Sequence, residues 1–107
     1  MEGYLQVSTT TGTKEDAEKI AGVLVAKRLA GCVQIAGPIR STYWWNGSME
    51  TVDEWLCVIK SKKSIFQELE QAIREIHSYE TPEIVAVPIV VGSADYLAWL
   101  GAELKTG

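Results

Sequence analysis

The sequence is poor in the residues that most often build metal centres and nucleophilic active sites. It holds one histidine and two cysteines among 107 residues. Cys32 and Cys57 form neither a CxxC pair nor a zinc-ligand spacing, and on strands such residues are most often small core side chains, with metal ligation as the other interpretation. No Ser/His/Asp arrangement is present either. The sequence therefore predicts no catalytic residues and a protein that is not an enzyme.

Positive charge is also scarce. Ten Lys and Arg stand against 14 Asp and Glu, which gives a net charge of −4. Proteins that bind nucleic acids gain most of their affinity from Lys and Arg on phosphates. The cluster Lys60, Lys62 and Lys63 is typical of a solvated strand end. The sequence therefore predicts no nucleic-acid partner.

Long apolar runs are absent as well. No run reaches the ~18 residues that a membrane-spanning helix needs. The first residues, Met1, Glu2 and Gly3, lack the basic and apolar regions of a signal peptide. We therefore expect no membrane association, and a cytoplasmic protein with reduced cysteines.

The sequence does contain a small excess of apolar residues. They make up 47% of the chain, and four Trp and four Tyr add large rings. The chain is long enough for a single domain, 1–107, with a modest core. The excess suggests that another copy or a partner covers part of the surface.

The hydrophobic pattern predicts four strands. The segments that are alternating, β-branched or apolar on both faces are 4–11, 32–45, 52–60 and 83–91. In the last of them Pro88 lacks an N–H, which favours an edge of the sheet or a bulge. The continuous apolar character of this segment predicts a covered strand.

Helices are predicted between and after these strands. The first spans 14–30, with Thr13 as its N-cap and Gly31 after its end. The second begins at Ser61 or Ser64 and ends before Pro82, and a third follows residue 92. The order β-α-β-β-α-β with a C-terminal helix is that of an α+β, ferredoxin-like fold, with two helices on one face of an antiparallel sheet.

Strands two and three form an unusually long hairpin. Asn46-Gly47 predicts a type I′ turn, because that turn needs positive φ at both central residues. Gly37-Pro38 predicts a bulge or bend in the first arm. Arms of about 14 residues exceed the usual five or six. Such an arm cannot bury both faces in its own small domain, which again indicates a partner.

Three aromatic residues, Tyr43, Trp44 and Trp45, stand at the tip of this hairpin. Left in water, their rings would cost about 25 cal/mol per Å² of apolar surface. They have three interpretations: a small core within the hairpin, a docking surface for another subunit, or a platform for a ligand.

The single histidine, His77, lies near the end of the second helix and three residues before Glu80. A helix C-terminus favours a charged histidine, so one interpretation is a capping or surface residue. The other is a divalent metal site, because imidazole and carboxylate suit a transition ion. A neighbouring subunit or solvent would then complete the site. Gly12-Thr13 carries no phosphate-binding motif and is interpreted as a capped turn.

Several stretches together resemble the divalent-cation tolerance proteins, the CutA family. They are 28–33 (RLAGCV), 41–47 (STYWWNG), Lys60, 77–84 (HSYETPEI) and 96–100 (YLAWL). The resemblance covers nearly the whole chain, in order. It implies a ferredoxin-like subunit in a tight, PII-like homotrimer whose long hairpins extend to neighbouring subunits. It also implies tolerance of copper and other divalent ions, with weak metal binding and no required cofactor.

The resemblance also assigns site residues. His77 matches a histidine implicated in copper binding in enterobacterial members, while Glu80 joins it in the candidate metal pair because of the spacing noted above. Those members often carry a second histidine where Ile76 stands here, and a cysteine where Thr9 stands. Losing these softer ligands implies weaker copper binding. Residues that match recurrent family positions near the clefts between subunits are Tyr43, Trp45, Lys60 and Tyr79.

The leading hypothesis is therefore a homotrimeric, non-enzymatic protein of divalent-ion tolerance that binds an ion such as Cu²⁺ weakly near His77 and Glu80. The alternative is a PII-like sensor or scaffold. It would bind a small anionic metabolite in an inter-subunit cleft lined by Lys60, Tyr79 and Glu80.

Overall fold

The computed structural model of the protein describes residues 3–107. Met1 and Glu2 lie outside the described residues, and the expected lack of a signal peptide depends in part on them. Its strands are β1 (Tyr4–Thr11), β2 (Cys32–Trp45), β3 (Ser48–Lys62) and β4 (Val85–Pro88). Its α-helices are α1 (Lys14–Ala26), α2 (Phe66–Ile76) and α3 (Ala94–Glu103). None of the helices within residues 3–107 is long and apolar enough to cross a membrane.

The strands form one antiparallel sheet in the order β2-β3-β1-β4. With α1 after β1 and α2 after β3, this confirms the predicted ferredoxin-like α+β fold with a C-terminal helix. The core lies where the sheet meets α1 and α2. Its fully buried members include Val7, Ile20, Leu24, Ile59, Leu69 and Ile73.

The hairpin of β2 and β3 is the longest feature of the subunit. Its arms hold 14 and 15 residues. β3 begins at Ser48 rather than at residue 52, because Ser48 already pairs with Trp45 across the turn. Asn46 and Gly47 have φ angles of 50° and 80°, as the predicted type I′ turn requires.

The irregularity predicted at Gly37-Pro38 is also present. The register of β2 against β3 shifts between Ala36 and Ile39, as at a β-bulge. A Cβ atom at position 37 would lie 2.6 Å from Cδ1 of Trp55, far inside van der Waals contact. Glycine at this position therefore lets the Trp55 indole lie directly against the bulged backbone.

α1 begins as predicted. The hydroxyl oxygen of Thr13 accepts a hydrogen bond from the N–H of Asp16 at 3.1 Å, which is an N-cap.

The predicted end of this helix at residue 30 was wrong. α1 ends at Ala26, and Arg28 rather than Gly31 takes the left-handed conformation, with φ of 61°. The early turn brings Leu29 into the core, where it is 1% exposed. The Arg28 guanidinium bonds the Glu103 carboxylate at 2.9 Å, which ties this turn to the end of α3.

Both predicted ends of the second helix were also wrong. A short 3₁₀ turn, Lys63–Ile65, follows β3, so α2 begins only at Phe66. The helix ends at Ile76, well before Pro82, and His77 has an extended backbone. Histidine, serine and tyrosine, the next three residues, all have modest helix propensity. The early end leaves residues 77–84 to form a loop beside the hairpin.

β4 is shorter and more exposed than predicted. It spans Val85–Pro88 rather than 83–91 and lies at the edge of the sheet, as Pro88 indicated. The prediction of a covered strand was wrong for the single subunit. Val85 and Val87 are about half exposed, and Val90 and Val91 beyond the strand are almost fully exposed.

Thr9 in β1 is a buried polar residue. Within residues 3–107 its hydroxyl makes no hydrogen bond, whereas the equally buried Thr11 donates to the carbonyl of Thr13 at 2.7 Å. A buried, unsatisfied hydroxyl costs about 1–3 kcal/mol. We therefore expect Thr9→Val, which keeps the shape, to raise the free energy of unfolding by about 1 kcal/mol.

Denaturant titration measures this change. Thr11→Val is the matched control and should lower the free energy of unfolding, because it removes a hydrogen bond that is made. A Thr9→Val protein less stable than the native chain would contradict the interpretation of Thr9.

Candidate functional site

A groove of about 700 Å³ lies between the hairpin and the loop of residues 77–84. Strand alternation explains which aromatic residues of the hairpin line it. Tyr43 and Trp45, two residues apart in β2, face the groove. Trp44 between them does not line it and stands opposite Met49 of β3. Only alternate residues of the aromatic tip therefore belong to the groove.

The base of the groove is built around Glu54. This residue of β3 is only 5% exposed. One of its carboxylate oxygens, Oε2, accepts a hydrogen bond from the Tyr79 hydroxyl at 2.7 Å. The phenol approaches Gly12 closely, since a Cβ there would lie 3.2 Å from its oxygen. The bond therefore ties the loop after α2 to the hairpin.

The environment of Tyr79 keeps its hydroxyl protonated. Burial raises the pKa of Tyr79 well above its ordinary value, and the hydrogen bond and charge of Glu54 raise it further. A phenol that holds its proton remains a hydrogen-bond donor throughout the neutral range. The Glu54–Tyr79 contact is thus an ordinary carboxylate–phenol pair rather than a proton-transfer site.

His77 lies beside the groove, with both ring nitrogens engaged. Nε2 lies 2.8 Å from the carbonyl oxygen of Thr10, and Nδ1 lies 3.0 Å from the backbone nitrogen of Tyr79. A carbonyl only accepts and an amide N–H only donates, so the partners assign a neutral ring protonated at Nε2. A metal ion can reach a ring nitrogen only where one of these bonds opens.

The structure brings most of the candidate site residues together. Tyr43, Trp45, Tyr79 and Glu80 line one groove. Lys60 does not line it, because it lies farther along β3, where its Nζ bonds Oε1 of Gln34 at 2.9 Å. Within residues 3–107 no three His, Cys, Asp or Glu side chains converge to hold a metal ion.

Two acidic residues of the groove were not identified from the sequence. They are Glu54 and Glu83. Glu54 sits in the polar stretch before Trp55, where nothing local distinguishes a buried carboxylate from an exposed one. Its contact with Tyr79 spans 25 residues of sequence and depends on the end of α2. Glu83 lies within the matched stretch 77–84, which assigned it no role.

The two cysteines have different surroundings. Both are free, with Cys57 buried and Cys32 partly exposed. Burial raises the pKa of the Cys57 thiol to about 11, so this side chain stays a neutral thiol in the core, where its Sγ lies 3.9 Å from the carbonyl oxygen of Ala17.

Comparison with known proteins identifies the family. The family model described as CutA1 divalent ion tolerance protein matches residues 5–103. A divalent-cation tolerance protein CutA of Archaeoglobus fulgidus is 40% identical over 91 residues, which cover 85% of this chain and 88% of that protein. The chloroplastic CutA 1 of rice is 38% identical over 94 residues, or 88% of this chain. The chain spans about half the length of this rice protein, 53%.

A solved structure gives the same result. The crystal structure of CutA1 from Oryza sativa superposes with a TM-score of 0.96 at 34% identity, and the match covers 99% of this chain and 97% of that one. The long hairpin and these matches agree with the resemblance seen in the sequence. The chain belongs to the CutA1 divalent ion tolerance protein family.

Proposed function

We propose that the protein is a homotrimer that contributes to divalent-ion tolerance by weak binding of an ion such as Cu²⁺ at His77 and Glu80. The observation that carries the proposal is the position of His77. The only imidazole of the chain lies beside a groove lined by the carboxylates of Glu54, Glu80 and Glu83. Imidazole and carboxylate together suit a divalent transition ion, and family membership supports this class of ligand.

The hydrogen bonds of His77 explain why the affinity would be low. An ion that takes Nδ1 or Nε2 displaces the Tyr79 N–H or the Thr10 carbonyl. The displaced bond is worth about 0.5–1.5 kcal/mol. Thr9 and Ile76 add no soft ligand. Weak, reversible binding is therefore proposed, with the ion as cargo rather than as a resident cofactor.

Exposed apolar surface supports the trimer. Trp44 is 73% exposed and Met49 opposite it is 67% exposed, so one face of the hairpin is an apolar patch. A second apolar patch is formed by the valines of β4 and of the segment after it, Val85, Val87, Val90 and Val91. Apolar patches of this kind mark interfaces in small proteins. A PII-like trimer, with Tyr43, Trp45, Lys60 and Tyr79 near its clefts, would cover both.

The role proposed is binding and not catalysis. Both ring nitrogens of His77 are held by backbone groups, and Cys57 is a buried thiol with a raised pKa. The free state of both cysteines is consistent with the reducing cytoplasm, which we propose as its compartment.

The groove does not favour the anionic metabolite considered as an alternative. Three carboxylates line it and Lys60, the cation expected to hold the anion, bonds Gln34 elsewhere on the sheet. An anion entering this groove would meet charge of its own sign.

Calorimetric titration of Cu²⁺ into the native chain and a His77→Ala variant tests the metal site. We expect the variant to lose affinity by about tenfold or more, because losing even an outer partner of a metal ligand costs about that much. His77→Gln, which can still form hydrogen bonds, should lose affinity for Cu²⁺ to the same extent as His77→Ala. Cys32→Ser is the matched control for binding at an accessible thiol and should bind as the native chain does. Equal affinities of the native chain and both His77 variants would exclude His77 from the site.

A further inference from the structure

Glu54 is a nearly buried carboxylate for which no cationic partner is found among residues 3–107. It is 5% exposed, and its hydrogen bond comes from a neutral phenol. Ion pairs of the described residues use other acids, such as Glu68, Glu70, Asp53 and Glu103. Removing a carboxylate from water is costly, and buried charges in proteins are therefore paired as a rule. A counter-charge for Glu54 can approach from the groove.

Three aromatic side chains contribute to the walls of the groove. Tyr43, Trp45 and Tyr79 line the same space as Glu54. The face of an aromatic ring carries negative electrostatic potential and attracts a cation, most strongly in tryptophan and in a desolvated site. The combination of rings with a carboxylate is one that proteins use for ammonium groups.

Every charged residue that lines the groove is acidic. Glu80 and Glu83 stand near its rim and Glu54 at its base, with no Lys or Arg among the described residues of the lining. The charged side chains of the lining therefore present negative charge to a ligand, which disfavours an anion and favours a cation.

The size of the groove distinguishes an organic cation from a bare metal ion. A volume of about 700 Å³ is within the range of small-molecule sites. A metal ion instead needs several ligands drawn close around it, and no such group of acidic, His or Cys side chains exists within residues 3–107. The groove therefore suits a molecule with apolar surface around its charge.

We propose that this groove binds a small organic cation, an alkylated ammonium or guanidinium compound. Glu54 is its charge partner, and the rings of Tyr43, Trp45 and Tyr79 form the walls of its site. This ligand class goes beyond divalent-ion tolerance and does not depend on metal binding at His77.

Calorimetric titration with choline and with its neutral isostere 3,3-dimethylbutan-1-ol tests the proposal on the native protein. The two compounds differ in charge and hardly in shape. We expect choline to bind more tightly by about tenfold or more. Equal binding of the two, or no binding of choline, would overturn the proposal.

Variants locate the site. Glu54→Gln keeps an acceptor for the Tyr79 hydroxyl but removes the charge, and should abolish the preference for choline. Trp45→Leu should weaken choline binding, while Trp45→Phe retains much of it. Trp44→Leu is the matched control, because Trp44 does not line the groove, and should bind choline normally. Unchanged choline binding in both Glu54→Gln and Trp45→Leu would contradict the assignment.

Trp45→Leu separates this proposal from the metal site. It should lose affinity for choline while binding Cu²⁺ as the native chain does. A native chain that binds Cu²⁺ through His77 and shows no preference for choline would contradict only the organic-cation site. A native chain that prefers choline but does not bind Cu²⁺ through His77 would contradict only the metal site.

Discussion

Replacing Trp44 by aspartate and Met49 by lysine together is expected to break the protein into single subunits that unfold at a lower temperature. These side chains stand opposite each other on one face of the hairpin and are 73% and 67% exposed in the subunit. In the proposed trimer they contact a neighbour, and burying the two new charges there removes both from water, a cost that their mutual attraction does not offset against an apolar surface. Because the oligomer stabilises the folded subunit by mass action, we expect the melting temperature to fall by about 10 °C or more.

Light scattering and thermal unfolding measure the two effects together. Val25→Lys is the matched control. It also replaces an exposed apolar side chain, 43% exposed, but at the end of α1 and away from the hairpin. It should change neither the mass nor the melting temperature appreciably. A double variant that is monomeric and as stable as the native protein would show that the hairpin patch is not needed to hold the subunit folded.

Ile73→Ala is expected to lower the free energy of unfolding by about 2–5 kcal/mol. Its side chain is fully buried between α2 and the sheet, so truncation removes buried apolar surface and leaves a cavity. Its carbonyl accepts the N–H of His77 at 2.9 Å, so loosening this turn also loosens the loop that carries Tyr79. Chemical denaturation provides the measurement.

Glu75→Ala is the control for Ile73→Ala, because it alters an exposed residue of the same helix. Exposed substitutions of this kind change stability by about 0.5 kcal/mol or less. A loss below about 1 kcal/mol in Ile73→Ala would indicate a poorly packed core, contrary to its burial.

The sequence predicted best those features that depend on neighbouring residues. The turn at Asn46-Gly47, the bulge after Ala36 and the cap at Thr13 follow from local backbone preferences, and the structure confirms all three. The ends of helices were predicted less well. α1 stops at Ala26 because Leu29 is needed in the core and Arg28 contacts α3. Neither cause is visible in a local pattern.

In the candidate site, too, local features were predicted from the sequence and contacts between distant residues were not. The aromatic tip and the stretch from His77 to Glu80 stand out in the sequence. Glu54 does not, because its role depends on a contact with Tyr79 across the fold. Lys60 is one of the matched residues, but its place in β3 keeps it out of this groove. Its position at a cleft between subunits stays a prediction. Strand register and loop path, which join distant residues, were the missing information.

Two apolar surfaces of the subunit, on the hairpin and along β4, are left exposed by residues 3–107. A trimer accounts for both surfaces at once. The direct test is the mass of the native protein by sedimentation equilibrium at micromolar concentration. Three times the subunit mass of 11.8 kDa is expected. A single species of 11.8 kDa, folded and stable, would contradict the proposed assembly.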